Sequence, residues 1–120
     1  MKNSIITLNN YKRYLFNFNI KNLEELFLFV NENFENLFDI EFDESILTEL
    51  STSNNVKVRQ YIAANENCSL KTLEVLSNDE DVDIRINVVL NKNCSIDLLN
   101  KFISDSEPFI KNAAEYILNH

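Results

Sequence analysis

The chain has 120 residues, 45% hydrophobic and 25% charged, which are the proportions of a single soluble globular domain. Its formal net charge of −8 disfavours direct nucleic-acid binding, which depends on Lys and Arg, and indicates a protein partner with a basic surface. No apolar run approaches the ~20 residues of a membrane span, and two cysteines are too few for a secreted disulfide framework. We therefore expect a cytoplasmic protein that does not bind membranes.

The first 42 residues are predicted to form a helical N-terminal cap. Apolar residues between Leu8 and Phe18 fit a helical stripe, although part of the same segment also alternates as a strand would. The helix is favoured because a lone strand would find no partner in an otherwise helical protein. From Asn22, a good N-cap, apolar residues at helical spacing predict an acidic amphipathic helix over residues 22–38. The chain contains no glycine, so we expect asparagine to close its helices.

One segment of the sequence occurs twice, at an offset of 26 residues. Residues 59–69 read R-Q-Y-I-A-A-N-E-N-C-S, and residues 85–95 read R-I-N-V-V-L-N-K-N-C-S. At the same offset, apolar residues also match before and after these two segments. The matches indicate a degenerate unit before the repeated part and a last unit after it. Such a fixed period is typical of stacked helical units that bury one another's faces. Residues 43–120 of a single domain, 1–120, are therefore predicted to form about three units of 26 residues.

Each full unit is predicted to contain two helices. The first unit has apolar residues at helical spacing over residues 56–64 and 70–76, and the second over 82–90 and 96–103. In both units an Asn-x-Asn break separates the helices, and a Cys-Ser pair precedes the second one. The last unit has Pro108 in its first turn and continues as one helix to the C-terminus.

The recurring frame R-x-x-V-A-x-N-x-x-[TC]-x-x-x-x-L-x-x-L-x-x-D-x-x-x-x-V-R resembles the leucine-rich repeat variant, a relative of HEAT-type helical repeats. Its positions are filled by Arg59, Ile62, Ala63, Asn65, Cys68, Leu73, Leu76, Asp79, Ile84 and Arg85, and again 26 residues later, with Val89, Phe102 and Lys111 as departures. The resemblance covers residues 39–111 and implies an all-α, right-handed solenoid in which α-helices alternate with short 3₁₀-like helices. Some members carry an iron–sulfur cluster on a separate Cys-rich N-terminal segment. No residue before Cys68 could hold it here, so no cofactor is expected.

The repeated cysteines, Cys68 and Cys94, raise the alternative of a pair of metal or catalytic sites. Adjacent packed helices lie about 8–10 Å apart, which is too far for a disulfide between equivalent positions. A zinc site needs four ligands, and the only histidine is His120. We therefore expect both cysteines to be structural.

The remaining candidates for chemistry also favour structural roles. Arg59 and Arg85 could bind anions, but pairing with Asp79 and Asp105 would tie one unit to the next and is the favoured interpretation. A phosphate-cradling loop is impossible without glycine, and no internal histidine can activate a nucleophile. No catalytic, metal-binding or cofactor-binding residue is predicted, so we expect a protein without enzymatic activity.

Two sets of residues are candidates for protein binding. When the units are aligned, some positions differ in chemistry from one unit to the next. On the first helix of each unit these variable positions are i, i+3 and i+7, so they form one stripe with apolar residues at its middle. The second set is an acidic segment between residues 22 and 50, which contains no Lys or Arg. The predicted binding residues are Glu24, Glu25, Glu32, Glu35, Asp39, Glu41, Gln60, Asp83, Ile86 and Leu90.

The sequence thus predicts a non-enzymatic protein–protein interaction module of the helical-repeat type. The alternative is a small acidic inhibitor, of the immunity-protein or anti-CRISPR kind, that blocks the basic nucleic-acid-binding site of a nuclease or similar enzyme. A fragment of a longer repeat protein is disfavoured, because both ends of the chain read as caps. The sequence leaves open the identity of the partner, the face that binds it and the oligomeric state.

Overall fold

The chain is mostly α-helical. The computed structural model describes residues 4–33 and 40–120. In chain order the elements are β1 (Ser4–Ile6), α1 (Tyr11–Phe18), α2 (Leu23–Glu32), β2 (Ile40–Phe42), α3 (Glu44–Leu50), α4 (Val56–Ala64), α5 (Leu70–Leu76), α6 (Val82–Leu90), α7 (Ile96–Phe102) and α8 (Pro108–Asn119). The predicted helical class is confirmed.

A small parallel sheet departs from the all-α prediction. Strands β1 and β2 pair with Ile6 opposite Phe42, and the N–H of Asp43 continues the pairing by donating to Ile6 O (3.0 Å). Ile6 and Phe42 are both buried, so the sheet contributes to the hydrophobic core. Strand β2, the partner of β1, lies directly ahead of α3, and the sequence predicted neither strand. Strands of three residues are too short to show an alternating pattern.

Asparagine follows four of the eight described helices, α1, α2, α4 and α6, so the expectation for a chain without glycine holds for half of them; Ser51, Ser77, Ile103 and His120 follow the others. Asn19 follows α1 in the left-handed conformation (φ 57°, ψ 48°), and Asn33 follows α2. The helix α2 begins at the predicted N-cap, Asn22, whose side chain accepts from the N–H of Glu25 (2.9 Å). It ends at Glu32, and residues 34–38 of the predicted helix lie outside the described part of the chain.

Helix boundaries recur at intervals of 26 residues. Helices α3, α5 and α7 begin at residues 44, 70 and 96, and helices α4, α6 and α8 begin at residues 56, 82 and 108. The residue before each short helix caps it in the same way. The side chains of Asp43, Ser69 and Ser95 each accept from the N–H three residues later in the chain.

The predicted helix spans agree closely with these boundaries. The three spans from residue 56 to residue 90 coincide with α4, α5 and α6, and α7 ends one residue before the predicted position 103. One implication of the family resemblance is wrong, because α5 and α7 are α-helical and not 3₁₀-like. Each is seven residues long, which is enough for the hydrogen bonds of an α-helix.

The core lies between two sets of helices. Helix α6 packs between α4 and α8, while α3 and α5 pack against α4, and α7 packs against α8. Helices α4, α6 and α8 each bury an apolar residue at two equivalent positions, four residues apart. These residues are Val58 and Ile62, Ile84 and Val88, and Ile110 and Ala114. The short helices contribute leucines, including Leu73, to the same core.

Two arginines connect successive loops. Arg59 Nε donates to Asp79 Oδ2 (2.8 Å) and Arg85 Nε donates to Asp105 Oδ2 (3.0 Å), as predicted. Each guanidinium also donates to the carbonyl of the preceding loop, from Arg59 Nη1 to Ser53 O (2.7 Å) and from Arg85 Nη1 to Asp79 O (2.9 Å). The loop before α4 is thereby joined to the loop before α6, and that loop is joined to the loop before α8.

Asparagine side chains make a second set of connections. We call Asn67, Asn91 and Asn93 the asparagine ladder. Asn93 Nδ2 donates to Cys68 O (2.8 Å), and Asn67 Nδ2 makes the equivalent bond to Phe42 O (3.3 Å). The buried Asn91 donates from Nδ2 to both Ala63 O (2.8 Å) and Asn65 O (2.9 Å). These bonds satisfy loop carbonyls that packing removes from water.

The buried leucines of the short helices should dominate stability. We expect Leu73→Ala to lower the free energy of unfolding by about 2–5 kcal/mol, because the side chain is fully buried and leaves a cavity. Val75→Ala, on the same helix but 54% exposed, is the matched control and should change it by less than about 0.5 kcal/mol. Urea titration measures both values. Equal losses would show that the inward face of α5 is wrongly assigned.

Because of the Arg85–Asp105 pair, the free energy of unfolding should decrease at low pH. Burial opposes the charged form of Asp105, but the hydrogen bonds from Arg85 and from the N–H of Glu107 outweigh it and lower the pKa of this carboxyl below 3.8. As the pH falls through 3.8, the unfolded chain takes up its proton first. The stabilisation, complete above that pH, is then lost on approach to the folded-state pKa.

We therefore expect the free energy of unfolding to fall less steeply between about pH 5 and about pH 3 in Asp105→Asn than in the parent protein. Urea titrations at several pH values measure this slope. Glu80→Gln is the control, because Glu80 is exposed and contacts the same arginine only through its backbone carbonyl, and it should retain the parent slope. Identical slopes in all three proteins would contradict a stabilising role for the Asp105 charge.

Candidate protein-binding surface

The predicted stripe lies along one side of α4, α6 and α8. We call it the outer stripe: Lys57, Gln60 and Ala64 of α4, Asp83, Ile86 and Leu90 of α6, and Phe109, Asn112 and Tyr116 of α8. The paired arginines and the buried residues occupy other positions on these helices, and the ladder residues lie in the loops that follow α4 and α6. Most of the stripe is exposed, and Gln60 and Ile86 are half-buried.

Leu90 is the most exposed apolar residue among the predicted binding residues of the stripe. Its relative exposure is 63%, whereas Ile86 is half-buried and packs against the core. Gln60 also helps to join α4 to α6, since its backbone carbonyl accepts a hydrogen bond from Asn87 Nδ2 (3.1 Å). Asp83 is exposed at the N-terminal end of α6. The structure therefore concentrates the apolar character of α6 at Leu90.

Two aromatic residues on α8 extend this exposed apolar surface. Tyr116 occupies the position equivalent to Leu90 and is 64% exposed, while Phe109 is equivalent to Asp83 and 48% exposed. Neither was among the predicted binding residues, although both lie in columns that the sequence identifies as variable. The 26-residue offset from Leu90 was the signal that could have found Tyr116.

Two of the predicted acidic residues are used inside the molecule. The half-buried Glu24 accepts a hydrogen bond from Ser53 Oγ, in the loop before α4. Glu32 forms an ion pair with Lys57 on α4, and this hydrogen bond and charge raise the pKa of Lys57. Both contacts attach α2 to the helix pair that follows it. The acidic helix is therefore not a uniformly available surface.

The remaining predicted acids lie in different surroundings. Glu25 is exposed near the start of α2, where its carboxylate accepts from the N–H of Lys21 (3.4 Å). Glu41 lies on β2 and accepts from Asn67 Nδ2 (3.2 Å). Glu35 and Asp39 lie outside the described residues. Among the described residues, Glu25 and Glu41 thus lie on different elements, α2 and β2.

The two cysteines lie at equivalent positions before the short helices. Both are free thiols, Cys68 fully buried and Cys94 half-buried, and the serine that follows each one provides the cap. Burial, together with the charge of Glu44, raises the pKa of Cys68 to about 12, and burial raises the pKa of Cys94 to about 11. Residues 4–33 and 40–120 contain no cluster of His, Cys, Asp and Glu able to hold a metal ion. These positions fit the predicted structural role.

Comparison of the chain with protein-family models, with curated proteins and with solved structures gives no match. Among the described residues, no helix is long and apolar enough to cross a membrane.

The raised thiol pKa values predict slow alkylation of the native protein. At about pH 7.5 both thiols should be protonated, and only the thiolate reacts with iodoacetamide. We expect Cys68 to react more slowly than Cys94, and both to react much faster in urea. Mass spectrometry of the alkylated peptides measures the rates. Equal rates for Cys68 in the native and unfolded protein would contradict its burial.

Proposed function

We propose that the chain is a non-enzymatic protein-binding module of the helical-repeat type, and that the outer stripe is its binding surface. The observation that carries this proposal is the contrast between two kinds of position in the 26-residue units. Positions that recur in chemistry every 26 residues hold the helices together, whereas the stripe changes in chemistry and exposes Leu90, Phe109 and Tyr116. Exposed apolar and aromatic residues in a row are typical of protein interfaces.

The architecture that we propose is a right-handed solenoid of leucine-rich-repeat-variant type. The recurring helix boundaries, the arginine pairs and the asparagine ladder support stacked units, and the handedness follows from the family resemblance. The bonds from Glu24 to Ser53 and from Glu32 to Lys57 support an N-terminal cap attached to the first unit. A cytoplasmic location, with two reduced cysteines, is part of the same proposal.

A second candidate function is the small acidic inhibitor of a nucleic-acid-handling enzyme. It is supported by the net charge of −8, by the exposed Asp83 on the stripe and by the exposed Glu25 in the acidic segment. The internal use of Glu24 and Glu32 makes it the weaker candidate, since those carboxylates already have partners.

The two functions respond differently to one substitution. The test is affinity purification from lysate of the native host, followed by mass spectrometry, with the parent chain, Leu90→Asp and Val75→Asp as baits. Val75 is the matched control, because it is an exposed apolar residue at 54% on α5, outside the stripe. We expect a partner that the parent and Val75→Asp retain and that Leu90→Asp binds at least about tenfold more weakly.

Circular dichroism of the three baits checks that each is folded. A partner that Leu90→Asp retains, but that is released as salt shortens the screening length, would support the acidic inhibitor instead. A partner lost equally with Leu90→Asp and Val75→Asp would refute the outer stripe as the interface.

A further inference from the structure

Helix α1 carries the most exposed large apolar side chain in the described part of the chain. Phe16 is 86% exposed, more than Leu90 of the outer stripe. The inward side of α1 is complete without it, because Tyr14 and Phe18 pack against the core, and the ring centroid of Phe18 lies 5.2 Å from that of Phe29 on α2. The packing of α1 therefore gives no account of the phenylalanine at position 16.

Two exposed cations lie on the same side of α1 as Phe16. Lys12 and Arg13 precede Phe16 by four and three residues, so the three side chains are neighbours on one face of the helix, which we call the α1 face. Helix α1 contains no acidic residue, and the first one in the chain is Glu24. The ion pairs within residues 4–33 and 40–120 are made by other cations, namely Lys57, Arg59, Arg85 and Lys92.

The α1 face is held in a fixed arrangement. The guanidinium of Arg13 lies over the ring of Tyr14, 5.5 Å from its centroid, which orients the cation. The end of α1 is closed by Asn19 in the left-handed conformation, and the N–H of Ile20 donates to Leu15 O (2.8 Å). Groups that are ordered before a ligand arrives lose less entropy on binding.

The small size of the α1 face selects among anionic ligands. The face covers about 5 Å, one turn of helix, whereas all 19 acidic residues of the chain follow position 23 and give it a net charge of −8. A nucleic acid or an anionic membrane extends well beyond one helical turn and would bring its charge against that acidic remainder. A short acidic segment of a protein can end within the face. Charge complementarity therefore favours a peptide ligand.

We propose that the α1 face is a second docking site, which binds a short acidic segment of a partner protein with an apolar residue between its carboxylates. The apolar residue covers the ring of Phe16, and the flanking carboxylates accept hydrogen bonds from the ammonium of Lys12 and the guanidinium of Arg13. This site goes beyond the proposed function, because it lies on α1 whereas the outer stripe lies on α4, α6 and α8.

The probe for this site is the peptide acetyl-Glu-Glu-Leu-Glu-Glu amide, titrated into ¹⁵N-labelled protein at low ionic strength and followed by NMR. Acetyl-Gln-Gln-Leu-Gln-Gln amide, which has the same length without charge, is the control peptide. We expect the backbone amide signals of Arg13, Phe16 and Asn17 to shift with the acidic peptide and much less with the neutral one. The affinity should fall as added salt screens the charges.

Two pairs of variants locate the binding. Phe16→Ser should weaken binding of the acidic peptide about tenfold, because the apolar contact is lost, whereas Ile96→Ser, which replaces a 69% exposed residue on α7, should bind as the parent does. Lys12→Gln should weaken binding by roughly two- to fivefold, the effect of one exposed ion pair. Lys71→Gln, on the exposed side of α5, is its control. The same spectra show whether each variant is folded.

The proposal would be overturned by equal shifts with the neutral peptide or by unchanged affinity in Phe16→Ser. Vesicles of anionic phospholipid, or a thymidine oligonucleotide, binding at α1 more tightly than the acidic peptide would also overturn it, in favour of a membrane or a nucleic acid. Leu90→Asp should bind the peptide as the parent does, so the two docking sites succeed or fail separately. Loss of the peptide in Leu90→Asp would place its binding on the outer stripe and refute the α1 face.

Discussion

The structure depends on satisfying backbone carbonyls in the loops between its helices. Where one pair of helices packs on the next, these carbonyls lose contact with water, and an unpaired buried carbonyl is costly. The chain meets this constraint with side-chain donors: Arg59 and Arg85 on one set of loops, and the asparagine ladder on the other. Arg59 and Arg85 lie on α4 and α6, and the ladder residues lie in the loops that follow these two helices, so helix packing and carbonyl satisfaction occur together.

This arrangement explains why the outer stripe is free to differ from one helix to the next. The bonds that connect successive loops come from Arg59, Arg85 and the asparagine ladder, none of which belongs to the stripe. Side chains such as Ala64, Leu90 and Tyr116 can therefore change in size and polarity without breaking a connection.

Much of the helical part could be predicted from the sequence, because each helix is marked by several agreeing signals. In α5, for example, the cap Ser69 precedes leucines at helical spacing, and the same pattern recurs in α7. The parallel sheet could not be predicted, since three-residue strands carry no periodic signal and pair across more than 30 residues of chain. The C-terminal end of α2 was equally hard to place, because apolar residues continue past Asn33.

The candidate site was predicted less completely than the fold. Variable columns pointed to Leu90, but they did not distinguish the exposed Leu90 from the half-buried Ile86, which differ in how they meet the neighbouring helices. The acidic segment read as one surface because its charges are adjacent in sequence. Only the tertiary structure shows that Glu24 meets Ser53 and that Glu32 meets Lys57, residues more than 20 positions away.

The short reach of the arginine and asparagine bonds bears on how such a chain can change length. The arginine–aspartate bonds and the bonds of the asparagine ladder join residues between 20 and 28 positions apart, and none extends beyond the neighbouring loop. An in-frame duplication of one 26-residue period would therefore bring its own donors and carbonyls, and would insert without disturbing the bonds on either side. Insertions of other lengths would misalign the donors and carbonyls on either side of the insertion. A gene for this protein could thus lengthen its product, and with it the outer stripe, by whole periods.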